Sequence, residues 1–349
     1  MDAIPDDFIL DVHDFAAILL ATHARTESLF PSARLVEINC GDTPLLTLPT
    51  HILPPAWHAA ALTQKRVAYI LKTDPCPPPP AEQAPARVAF DTFASPAGVR
   101  TPSGAPPTRR ALEDAFWRCK TYDAGYVLAY AAQRVFDRLP PTARLRARTS
   151  ARHTVLCAPA DVTVAEIDVA PHEACLILDH TPRPDLGPAH VDLTQHRSGF
   201  GGAPDPMPWV FLLLGEARSE DMAEDPRAVL DLATAQLGGR GGGGEVFALE
   251  RAFDYHGKVL PKVAQEGERY VLSGKLRITP EAIRARGDAL VDAVMERVCR
   301  LAGGQDDFCR YCGREGVNTR CSKCKKARFC QECVTQGWKY HKVWCPTAS

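Results

Sequence analysis

The sequence predicts an α+β body joined to a small cysteine-rich C-terminal unit of different chemistry. Three observations predict this. Short strand-like runs alternate irregularly with longer helical ones through residues 1–304. Seven of the 13 Cys fall between Cys309 and Cys345. Charge divides at the same place: from Cys309 onward nine Lys/Arg face two acids, a net +7, which leaves −8 on the preceding residues of a chain whose total is −1.

The body is expected to begin with a mixed segment over 1–74. Phe8–Val12, Arg34–Asn39 and Arg66–Leu71 carry β-branched and aromatic residues between turn signals, as strands do. Residues 75–108 then read as a proline-rich linker or surface loop, because four consecutive prolines, Pro77–Pro80, remove donors and fix φ. Residues 109–304 resume an α+β pattern, expected to pack with 1–74 as one body. Ala111–Leu139 reads as one long helix or two, closed by Pro140 and Pro141. Strands are expected at His153–Cys157, Val162–Val169, Cys175–Leu178 and Trp209–Leu214. Asp225-Pro226 resembles a helix start and Gly238 a stop, so the spacing predicts a helix over Ala228–Leu237. Glu245–Leu249 and Arg269–Ile278 return to strand character. Thr279-Pro280-Glu281 opens a last helix, with Leu290, Val291, Val294 and Val298 on one face, and Gly303-Gly304 ends it.

Composition excludes several classes. With 45% hydrophobic and 24% charged residues the chain is globular, not disordered or fibrous. No run approaches the roughly 18 apolar residues of a membrane span. The first residues are acidic where a secretory signal is basic, and neither Asn39 nor Asn318 opens an Asn-x-Ser/Thr sequon. An intracellular protein, nuclear or cytoplasmic, is expected. Nucleic acid is not expected as the partner, because the body is acidic.

Residues 305–349 hold the strongest signal. The spacing is Cys309-x2-Cys312-x8-Cys321-x2-Cys324-x5-Cys330-x2-Cys333-x7-His341-x3-Cys345. Seven thiols and one imidazole are eight soft donors, enough for two closed tetrahedral zinc sites. A two-residue turn lets both sulfurs of each C-x2-C pair reach one ion, and His341 and Cys345, four apart, share a face of a helix. A disulfide framework competes poorly in a Lys-rich segment of a chain not expected to be secreted. With every donor used, neither ion keeps a position for water, so the ions would be structural. A unit this small cannot bury enough surface to fold alone, so it should be folded only with metal.

These residues resemble the MYND-type zinc finger. The likeness covers 309–345 and includes Phe329-Cys330, the Trp338-Lys-x-His341-Lys-x-x-Cys345 ending and the donor order. The family usually places three residues between its fifth and sixth ligands; here two separate Cys330 and Cys333. The resemblance implies a cross-braced finger, one ion held by Cys309, Cys312, Cys330 and Cys333 and the other by Cys321, Cys324, His341 and Cys345. It also implies a protein-interaction module that takes proline-containing peptides of the form Pro-x-Leu-x-Pro, with Trp338 in the small hydrophobic surface. The body itself contains one such match, Pro184–Pro188. The expected function is therefore a zinc-dependent adaptor, the other reading being an enzyme in 1–308 that the finger serves by recruitment.

Weaker signals do not name an enzyme. The SET methyltransferases that accompany some MYND fingers need an Asn-His pair, and the sequence has none. Gly239–Gly244 fits G-x-G-x-x-G but is expected to follow a helix and precede a strand, the reverse of the dinucleotide-binding order, and reads as a flexible loop. His190, Asp192 and His256 have the composition of a two-His-one-carboxylate iron site and nothing more. Cys40, Cys76, Cys119, Cys157, Cys175 and Cys299 have no paired spacing and read as free thiols, mostly buried.

Overall fold

Trp209–Leu214 is apolar at every position, and the body is built on both sides of it. In the computed structural model, which describes residues 4–41, 43–49, 52–73, 86–182, 191–199, 206–217, 225–277, 279–345 and 347, the elements run as follows. β1 (Ile9–Asp11) leads into α1 (Val12–Thr26), then β2 (Ala33–Asn39), α2 (Pro55–Ala60), β3 (Lys65–Thr73) and α3 (Ala86–Phe93). Next come α4 (Arg109–Lys120), α5 (Gly125–Phe136), β4 (Arg144–Arg148), β5 (Thr154–Cys157), β6 (Val162–Pro171) and β7 (Glu173–Pro182). β8 (Val191–Ser198), β9 (Met207–Leu214), β10 (Ala228–Asp231), β11 (Ala248–Arg251) and α6 (Ala252–Asp254) follow. β12 (Ala264–Ser273), α7 (Glu281–Ala302) and α8 (Val334–Trp344) complete the order. The architecture is mixed α+β.

β9 is the middle strand of an antiparallel sheet ordered β11-β10-β9-β6-β12. Its alternate residues serve different cores, as a period of two requires. Val210, Leu212 and Leu214 face the main core with α1, α5 and α7. Trp209, Phe211 and Leu213 face a second core closed by Tyr255 and Val259. A second sheet, β2-β3-β7-β8, pairs β3 with β7 in parallel and is likewise covered on both sides. In β2 the register slips between Leu35 and Glu37, and this bulge lets Ala33, Leu35 and Ile38 all reach one core. β1, β4 and β5 form a small third sheet.

Several elements differ from the sequence expectations. The strand at Phe8–Val12 shortens to β1, and Val12 already belongs to α1, a helix the sequence did not announce. Within the proline-rich stretch Ala86–Phe93 forms a helix, and the Phe90 and Phe93 rings pack edge-on against Phe116 at 5.4 Å. Pro77–Pro80 lie outside the described residues. Ala111–Leu139 is two helices, separated at Thr121–Ala124, where Asp123 takes φ +49. Ala228–Leu237 is not a helix: Ala228–Asp231 is strand β10, followed by a 3-10 turn at Thr234–Leu237. β4 and β8 were not foreseen.

Candidate metal centre

The C-x2-C pairs sit on tight turns that aim both sulfurs the same way. Gly313 donates its N–H to the Cys309 carbonyl at 2.8 Å and takes φ +72, a left-handed conformation that glycine adopts freely. Lys325 repeats the turn after the second pair, donating to the Cys321 carbonyl at 2.9 Å with φ +55. In the third pair Cys333 donates to the Cys330 carbonyl at 3.0 Å and starts α8. α8 then presents His341, and Cys345 caps its end. Gly337 is required in between, because a Cβ there would overlap the Phe329 ring on which α8 rests.

These turns gather the eight residues into two groups. The donor atoms of Cys309, Cys312, Cys330 and Cys333 lie within 4.8 Å of one another, and those of Cys321, Cys324, His341 and Cys345 do the same. The Cys312 and Cys330 sulfurs are 3.8 Å apart, and Cys324 Sγ is 3.3 Å from His341 Nε2. Zinc bound tetrahedrally at ~2.3 Å to sulfur gives sulfur–sulfur edges of about 3.8 Å, so the first spacing suits a four-thiolate site. The groups interleave along the chain, and the clusters fit a zinc-finger arrangement.

Electrostatics points the same way. Hydrogen bonds from Cys312 and Cys333 pull the Cys309 thiol far down, while sharing with Cys309 pushes Cys312 and Cys333 up. Four thiolates so close repel one another, and a dication among them removes that repulsion. Burial pushes His341 down to about 4, helped by Arg310 and Arg148, so its imidazole is neutral at pH 7 and able to ligate a metal. The sulfur- and imidazole-rich donor set suits a borderline-soft ion.

Among the described residues, the remaining sequence candidates do not assemble into a metal-binding group. Asp192 lies on β8 of the four-stranded sheet, whereas His256 Nδ1 sits 2.9 Å from Glu266 Oε2 on β12 of the five-stranded one. His190, Cys76 and the Pro184–Pro188 match lie outside the described residues. Cys119, Cys157 and Cys175 are buried, Cys299 is half-buried and Cys40 is exposed. Gly239–Gly244 is a wrapped turn instead of a free loop. Gly242 donates to Glu250 Oε1 at 2.8 Å, and a Cβ at Gly241, Gly242 or Gly243 would overlap the Phe247 carbonyl or the Glu250 and Glu245 carboxylates. The Gly242 amide thus serves this chain's own Glu250 carboxylate, while Gly241 and Gly244 donate to the Glu245 and Gly241 carbonyls.

Sequence reasoning missed the turn-forming positions. Cys-x-x-Cys-Gly at 309–313 signals the first turn, but nothing in a lysine announces the left-handed turn at Lys325. No helix among the described residues is long and apolar enough to cross a membrane. The donor set and its two interleaved groups define the class, a chain with two Cys/His clusters of zinc-finger type on an α+β body. No family model, no curated protein and no solved structure matches the chain.

Proposed function

We propose that this chain is a zinc-dependent adaptor whose C-terminal segment is a MYND-type finger. Cys309, Cys312, Cys330 and Cys333 would hold one zinc ion, and Cys321, Cys324, His341 and Cys345 the other. The observation that carries the reading is the closed pair of quartets: eight donors for two tetrahedral ions leave no position for a substrate or water. A closed site stabilises structure, and what remains available on the finger is surface. Trp338 is only half-buried, Val334 on the same helix is exposed, and Lys339 and Lys342 flank them. An amphipathic tryptophan on a rigid, metal-held helix suits a short proline-containing ligand, whose preset backbone loses little entropy on docking. The outer lysines Lys323, Lys325 and Lys326 are exposed and favour acidic residues beside that peptide. Thiolate ligation fits a reducing, intracellular compartment.

Fluorescence anisotropy with a labelled Pro-x-Leu-x-Pro peptide and a scrambled control tests this reading. The parent chain should bind the ordered peptide, and Trp338→Ala should weaken it by about tenfold or more, as loss of an aromatic anchor does. Equal binding of both peptides, or an unaffected Trp338→Ala variant, would exclude peptide capture through this surface.

A further inference from the structure

The inner face of the finger is covered by the body, and both ends of the finger are pinned there. Phe308, one residue before the first donor Cys309, lies in the main core. The guanidinium groups of Arg297 and Arg310 lie over its ring, 4.6 Å and 4.2 Å from its centroid. At the other end Trp344, one residue before the last donor Cys345, stacks on the His13 ring of α1 at 4.7 Å and 20°. The Trp344 carbonyl accepts from Arg148 Nη1 at 2.7 Å.

Further contacts fix the orientation. Arg310, 2% exposed at its side chain, pairs with Asp14 of α1 at 2.8 Å and with Asp306. Tyr311 donates its hydroxyl to Glu113 of α4 at 2.5 Å. Tyr340 of α8 lies so close to Gly244 that a Cβ there would overlap its ring, and Gly244 holds φ +94. A small cavity of about 50 Å³ is lined by residues of both α8 and α1.

α1 explains why this cover is needed. Twelve of its 15 residues are buried, on every side of the helix, and His13, Ala17, Leu20 and Ala21 make up the side toward the finger. A helix buried on every side requires partners on every side. The first anchor adjoins Cys309 of one quartet and the second adjoins Cys345 of the other, so each metal secures one anchor.

We infer that metal loading of the finger completes the fold of the body, with α1 as the element that depends on it. The finger is a metal-set clasp on α1 as well as a docking surface. This inference rests on the reading that the two quartets bind zinc, and the experiment separates the two.

Hydrogen exchange is followed by mass spectrometry on the full chain, with zinc counted by elemental analysis, before and after chelation. Peptides covering Val12–Thr26 and 238–244 should exchange at least roughly tenfold faster without zinc and recover when zinc is returned. Trp344→Ala, which spares every donor, should keep two zinc ions and still accelerate exchange in α1. Two zinc ions with unchanged exchange in α1 on chelation would overturn the inference and leave the zinc reading intact. A zinc-replete Trp344→Ala variant with parental protection of α1 would overturn it equally. A chain that takes up no zinc would overturn both.

Discussion

Asp231 shows how much one side chain can hold. It is 1% exposed on β10, yet it accepts from Tyr255 Oη at 2.8 Å, Trp209 Nε1 at 3.2 Å and the Ala233 N–H at 2.9 Å. These donors belong to separate elements of the second core, so Asp231 ties the sheet to the segment that covers it. Burial nevertheless outweighs the hydrogen bonds and pushes its carboxyl up to about 6. A carboxyl raised on folding binds its proton more tightly in the folded state. Its contribution is therefore full below about 4 and lost as pH rises through about 6. Asp231→Asn should flatten the fall in stability over that window, measured by urea unfolding at several pH values. Asp231→Ala should cost about 2–3 kcal/mol, because three buried donors lose their acceptor. Nothing in the sequence marks Asp231, since a strand aspartate looks the same whether its partners are protein groups or water. The buried pair of Lys120 and Glu27, 3.0 Å apart and 93 residues distant in sequence, was equally invisible.

Elements were legible where one face is apolar and obscured where both are. α7 was read from its spacing because only one side is buried, by Leu290, Val291, Val294 and Val298. α1 lacks that contrast: with partners on all sides its apolar residues show no period, and periodicity cannot reveal it. β10 failed for a related reason. Ala228 and Leu230 enter the main core while Val229 enters the second, so both faces are apolar, and the preceding Asp-Pro imitates a helix start. Packing between helices supplies a sharper test at Gly287 of α7, where a Cβ would overlap the Tyr130 ring of α5. Replacing glycine by alanine within a helix ordinarily gains about 1 kcal/mol, while overpacking costs about 1–3 kcal/mol. The ring is the rigid part of Tyr130, held by its hydroxyl to Asp288 at 3.1 Å, so the steric cost should win. Gly287→Ala should lower the thermal midpoint; a rise would show that α5 and α7 separate easily.

At the scale of the molecule, the interleaving of the two quartets matters more than either alone. Cys321 and Cys324 lie between the two halves of the first quartet, and Cys330 and Cys333 lie between the two halves of the second. If each quartet holds an ion, as proposed, losing one would loosen chain that the other needs. Cys321→Ser should leave fewer than one zinc ion per chain, counted by elemental analysis, where independent sites would leave one. Cobalt substitution, followed through its thiolate absorption, should show the same loss at the four-cysteine site.

The sequence by itself determined the candidate donors, their spacing, the charge division and the mixed α+β character, because these follow from local chemistry. Two sulfurs three residues apart can meet one ion whatever the rest of the chain does. Only the tertiary structure decided that α1 is a helix buried on all sides, that Gly239–Gly244 wraps its own carboxylates, and that Phe308 and Trp344 seat the finger on the body. Those outcomes rest on contacts such as Trp344 on His13 and Tyr311 on Glu113, between residues hundreds of positions apart. A sequence records both partners of such a contact but not that they meet, since the pairing is chosen by which apolar surfaces the whole fold must cover.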